Sequence, residues 1–224
     1  MHIFKWLGIL SLLVFGGSCG NETSKTSTLK NGDILFCGTT NSDLSDAINT
    51  VTQTEEAHNY SHMGILSSTG STPTVIHAYP EKGVCEEPLD TFIKHREEEG
   101  SEVYAYRIES LGTKALLKAV ETARALVGKP YNDSYIISKG QESYYCSQLA
   151  HDAFASEEVF KLYPMDFKAP GTDSFYNTWI EYYEDLNIEI PQGKPGCNPN
   201  KMATNERLIP IGKLSLVDHT LLKY

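Results

Sequence analysis

Apolar positions along the chain switch between a spacing of two and a spacing of three to four, and the switches mark its elements. Ile34, Leu35 and Phe36, after Gly32-Asp33, read as a short buried strand. Leu44, Ala47, Ile48 and Val51 then share one face of a helix from Asp43 to Val51, which Ser42 or Asp43 can cap. The segments from His62 to Ser68 and from Ser71 to Tyr79 bracket Thr69-Gly70 as the two arms of a β-hairpin. A helix is predicted from Leu89 to Arg96 and an alternating strand from Glu102 to Glu109. The clearest helical stripe is Leu116, Ala119, Val120, Ala123 and Val127, ended by Gly128 and Pro130. A second begins at Cys146, where Leu149, Ala150, Ala153 and Phe154 follow at the spacing of one buried helix face. Beyond Phe167 the periodicity is weak, apart from a strand candidate from Arg207 to Ile211. Helices with antiparallel hairpin strands indicate an α+β domain.

The first 30 residues follow neither period. Lys5 precedes an apolar run from Trp6 to Phe15, then Gly16-Gly17-Ser18 ahead of Cys19. This arrangement reads as a secretory leader over residues 1–18, since the run is about half the roughly 20 residues that span a bilayer. Gly-Gly-Ser-Cys resembles a bacterial lipobox, with Gly16 where such sites favour Leu, so Cys19 is the candidate lipid-bearing residue and ordinary cleavage is the alternative. Residues 19–30 are polar and rich in Ser and Thr, which suits a tether, and a single globular domain is expected over 31–224. The expected setting is therefore an exported protein, anchored to the membrane by its N-terminus and facing the periplasm or cell surface. With 29 acidic against 19 basic residues, a net charge of −10 and no Lys/Arg cluster, a nucleic-acid partner is excluded.

Candidate chemistry centres on Cys146, in the first turn of its predicted helix. Unpaired N–H groups there favour a thiolate, although a free cysteine is equally at home as a small core residue. The hairpin supplies a base. With a two-residue turn at Thr69-Gly70, His62 lies directly opposite His77 on the same side of the sheet, and one imidazole can orient the other. No zinc-ligand spacing accompanies them, and no metal or cofactor is expected. Among Cys37, Cys85, Cys146 and Cys197, only Cys146 is predicted to combine a helix start with a nearby imidazole, and at most one disulfide can form among the other three.

Five segments together resemble one family. Asn31-Gly32-Asp33-Ile34-Leu35-Phe36, Tyr60-Ser61-His62-Met63-Gly64-Ile65, Val75-Ile76-His77-Ala78, Gly128-Lys129-Pro130-Tyr131 and Tyr144-Tyr145-Cys146-Ser147-Gln148-Leu149 are similar, in this order, to the YiiX/YaeF-type permuted papain-like amidases. The similarity extends to Gly193-Lys194-Pro195-Gly196-Cys197-Asn198-Pro199, where relatives tend to have Thr in place of Cys197. The resemblance implies a circularly permuted papain-like (NlpC-type) fold, with an antiparallel sheet packed on the helix that carries the nucleophile. It implies Cys146 as nucleophile, His62 as general base and His77 as the group that orients His62; relatives often hold Glu in place of His77. It also places Tyr60, Tyr131 and Tyr145 at the substrate.

The function implied is cysteine-dependent hydrolysis of an amide, through an acyl-enzyme, in a peptide, muropeptide or N-acyl small molecule of the cell envelope. Two alternatives stand beside it: a lipid acyltransferase or esterase of the lecithin:retinol acyltransferase type, and a non-catalytic lipoprotein that binds wall fragments. Tyrosines in the matched segments, and the lack of a long apolar segment outside the leader, favour a polar cleft over a lipid channel.

Overall fold

The computed structural model describes residues 29–140 and 142–216, so the leader and Cys19 lie outside the described residues. In chain order the elements are β1 (Ile34–Cys37), α1 (Asp43–Thr52), β2 (His62–Ser67), β3 (Thr74–Tyr79), β4 (Gly83–Pro88), α2 (Leu89–Glu98) and β5 (Val103–Ile108). They continue with α3 (Thr113–Arg124), α4 (Cys146–Ala153), β6 (Tyr163–Pro164), α5 (Asn177–Asp185), β7 (Pro195–Gly196), α6 (Pro199–Ala203) and β8 (Leu208–Leu214). Six strands form one antiparallel sheet in the order β4-β3-β2-β1-β5-β8. The mixed α+β class is as expected from the sequence.

Strand alternation divides the sheet's two faces between two cores. Met63, Ile65, Ile76 and Ala78 pack with Ala119, Val120, Ala123, Leu149 and Phe154 of the α3–α4 layer. Leu35, Leu66 and Val75 pack with Leu89, Phe92 and Ile93 of α2 on the other face. Helix α1 starts as predicted, with the Ser42 hydroxyl accepting the Ser45 N–H at 3.2 Å. Helix α3 ends one turn earlier than its apolar stripe suggested, because the chain turns through residues 125–128 to Gly128, whose φ is +90°.

Two expectations are corrected. The folded domain begins before Asn31: Leu29 is buried, and the Lys30 N–H donates to Asp33 Oδ2 at 2.7 Å. The hairpin register is shifted by two residues, with Ile65 opposite Ile76 and Ser67 opposite Thr74. Residues 68–73 form the connection, and Pro73 is held elsewhere, its carbonyl accepting the Leu89 N–H at the start of α2. A shift of two preserves side-chain facing, so His62 and His77 remain on one face as diagonal rather than direct neighbours.

Candidate active site

Strand β2 pairs with β1 from His62 to Ile65, but its ladder with β3 runs only over Ile65–Ile76, Leu66–Val75 and Ser67–Thr74. The strands part below Ile65. Leu66 donates its N–H to Asp33 on the β1 side, so alternation turns the amide of Met63 toward the β3 side, where no ladder partner faces it. That amide hydrogen-bonds the sulfur of Cys146 at the start of α4, together with the amides of Ser147 and of Cys146 itself. Burial outweighs these donors and pushes the thiol up to about 11. The thiolate expected from the helix start is therefore not the resting form.

His62 and His77 lie on the α2 face of the strands, as neighbours of Phe92. His62 Nε2 is 3.0 Å from His77 Nδ1, and His77 Nε2 is 3.1 Å from Glu87 Oε1 on β4. Both rings are buried, and desolvation holds both below the ordinary imidazole range, His62 well below it. For His62 the neighbouring His77 and Arg96 add to the effect; for His77 the Glu87 carboxylate works against it. Arg96, itself buried, stacks over Tyr79 at 4.8 Å and Phe92 at 5.7 Å, beneath the histidine pair. Its Nε lacks a partner while its other nitrogens bond Glu99.

A cleft of about 350 Å³ opens on Cys146. Tyr131 and Tyr145 line it, together with Ser61, Tyr135, Cys197 and Pro199. Ile48, Val51, Met165, Phe167 and Trp179 give it an apolar wall, beside the polar Gln53, Asp166 and Lys201. The expectation of a polar cleft is corrected by this wall, which is assembled from α1, α5 and the loop before α5 rather than from one apolar segment. Tyr60 does not line the cleft. Its ring packs on Phe36 at 5.2 Å and its hydroxyl pairs with Tyr106 at 2.8 Å, inside the core. Its backbone N–H donates to Asn200 Oδ1, fixing the approach to β2.

The segment Gly193–Pro199 closes over the start of α4. The Cys197 N–H donates to the Tyr145 hydroxyl at 3.2 Å, and Ser147 Oγ donates to the Cys197 carbonyl at 3.0 Å. A Cβ on Gly196 would collide with the Met165 side chain, so glycine permits this close approach. All four described cysteines are free thiols. Cys85, on strand β4 rather than at a helix start, also has an imidazole at hand, its sulfur lying 3.3 Å from His77 Nε2. Glu87, Arg96, Ser147, Tyr135 and Trp179 were not singled out from sequence. Cys85, paired directly with His77, and Glu87, two residues further along β4, lie on the same face of the sheet as His77, a relationship visible only once the strand order is known.

A cysteine at a helix start, packed against an antiparallel sheet that carries a histidine pair, defines the class of papain-like cysteine hydrolases in permuted order. The sequence profile of the permuted papain-like amidase enzymes, YaeF/YiiX, C92 family, matches residues 28–212, and the chain belongs to this family. The fold is similar to the crystal structure of metalloprotein yiiX from Escherichia coli O157:H7, with a TM-score of 0.68 and 25% identity over 84% of this chain and 99% of that one. No curated protein matches the sequence.

Proposed function

We propose that the protein hydrolyses an amide whose acyl group is apolar, with Cys146 as nucleophile, His62 as base and His77 orienting His62. The observation that carries the reading is the seating of Cys146: its sulfur receives the Met63 and Ser147 amides and faces a cleft with an apolar wall. Those amides are donors of the kind that stabilise a developing oxyanion. The substrate's acyl chain lies against Met165, Phe167 and Trp179, and its carbonyl meets the sulfur. His62 takes the thiol proton as the C–S bond forms and returns it to the leaving amine. Water then releases the acid from the acyl-enzyme.

The apolar wall also favours a second reading, acyl transfer from or hydrolysis of a lipid ester. A comparison of N-acyl amino-acid amides with phospholipid, using Cys146→Ala as the blank, separates the two. Cysteine-dependent amide cleavage supports the proposal; release of lysolipid without amide cleavage supports the second reading; neither product overturns both. The yiiX structure is described as a metalloprotein. Among the described residues of this chain no group of three or more His, Cys, Asp or Glu is placed to hold a metal ion, so these residues do not fit one.

We further propose export and anchoring through a lipid on Cys19, supported by the leader pattern and the polar tether. Fractionation of cells expressing wild type and Cys19→Ala tests this: membrane association that the substitution does not alter overturns it.

A further inference from the structure

We propose that Glu87 sets the tautomers of both histidines and thereby leaves Nδ1 of His62 as its bare, proton-accepting nitrogen; that it is the Cys146 proton which this nitrogen takes rests on the reading of Cys146 and His62 given above. The argument follows hydrogen-bond direction. An ionised carboxylate only accepts. Glu87 Oε1 lies 3.1 Å from His77 Nε2, so that nitrogen carries a proton. A neutral imidazole has one N–H, which leaves His77 Nδ1 as an acceptor. His62 Nε2, at 3.0 Å from it, must then donate. The remaining lone pair of His62 is on Nδ1.

Both conditions of this chain are met. Burial keeps the imidazoles neutral, and the hydrogen bond from His77, with Lys82 nearby, holds Glu87 below its ordinary range against the effect of burial. The other Glu87 oxygen lies 3.5 Å from His95 Nδ1, which fixes the carboxylate from its outer side. When the thiol reacts, the S–H bond breaks and an N–H bond forms at His62 Nδ1; no other bond need change. The resulting imidazolium donates through His77 toward Glu87. The carboxylate that relatives often hold at the position of His77 is thus supplied one strand further out, through an intervening imidazole.

Cys85 makes the device sensitive. Its sulfur is 3.3 Å from the same His77 Nε2. Without Glu87, the Cys85 S–H can donate to that nitrogen. The direction of both hydrogen bonds then reverses, and His62 is left with its proton on Nδ1, unable to accept another. Glu87 is therefore a positioning residue whose loss should alter nitrogen protonation at a ring it does not touch.

The test is histidine tautomer assignment by ¹⁵N NMR on full-length protein labelled at histidine, in wild type, Glu87→Ala, Glu87→Gln and Cys85→Ala. Near neutral pH, wild type and Cys85→Ala should show Nε2–H and a bare Nδ1 at both His62 and His77. Glu87→Ala should move both toward Nδ1–H, and kcat/KM should fall on the order of 10²-fold with little change in KM, within what a positioned base contributes. Glu87→Gln, which can still accept, should lie between. If Glu87→Ala does not fold, wild type and Glu87→Gln still decide: an Nδ1–H on His62 in wild type overturns the proposal. Unchanged tautomers in a folded Glu87→Ala also overturn it. Tautomers that shift as stated in a protein without cysteine-dependent turnover would sink the hydrolase reading alone.

Discussion

Gly64 leaves the space that His77 occupies. A methyl group on Gly64 would lie 3.2 Å from His77 Cβ and 2.5 Å from Val75 Cγ1. The Gly in Ser61-His62-Met63-Gly64 therefore makes room for Val75 and, beside it, for the histidine that reaches across from β3.

Gly64→Ala should lower stability by about 1–3 kcal/mol through overpacking. Thermal unfolding measures it. An unchanged Tm would show that Val75 can move aside without cost.

The local elements were legible in the sequence because their signals are local: the stripe of α3, the Ser42 cap and the alternation of β5 depend on near neighbours. The site was legible in part. Cys146, His62 and His77 could be placed on one helix and two strands, and a register error of two residues left the histidines facing the same way. The error came from Pro73, whose carbonyl is held by Leu89, a contact no hairpin rule contains. The cleft's apolar wall was illegible for a similar reason. Met165, Phe167 and Trp179 are held by ring contacts, such as Phe167 on Trp179 at 5.1 Å, rather than by helical or strand periodicity.

Cys146 should alkylate slowly near neutral pH. With its thiol pushed up to about 11 by burial, the iodoacetamide rate should climb steadily as pH rises, without levelling off below about pH 9. Cys37, fully buried with its thiol raised further still, should stay unlabelled in the native protein. Mass-mapped labelling across pH reads both. A plateau below about pH 8 would reveal a resting thiolate–imidazolium pair instead.

Stability should fall on mild acidification. His62 and His77 have folded-state values lowered from 6.5, chiefly by burial, so below that pH the unfolded chain binds more protons than the folded one. Their contribution is complete above 6.5 and is lost as pH drops beneath it, by at most about 1.4 kcal/mol per pH unit for each ring. Denaturant midpoints at pH 7.5 and 5.5 check this. His62→Gln should flatten the slope; equal midpoints in wild type would contradict the assignment of neutral buried rings.

Activity should persist on the acid side. A base held well below 6.5 stays unprotonated there, so the acid limb of kcat/KM should lie below that value. A limb at or above 6.5 would mean that another group limits the reaction.

Tyr145→Phe should cost about 1–3 kcal/mol, because it leaves the buried Cys197 N–H without its acceptor. Tm reports the loss. The same variant tests whether the Gly193–Pro199 segment depends on this bond: faster hydrogen exchange at Cys197 is expected, and an unaltered rate would show that the Ser147 bond suffices.

The parting of β2 from β3 places an unusual restriction on how this site can be altered. The donor it offers to the Cys146 sulfur belongs to the peptide bond before Met63, so no replacement of the Met63 side chain short of proline removes it. Random mutation can vary the cleft's wall and the histidine's surroundings freely, while this polar contact is inherited with the strand itself. Backbone chemistry reaches it without the fixed φ of a proline: an amide-to-ester exchange at Met63 replaces the N–H by an oxygen and leaves every side chain in place.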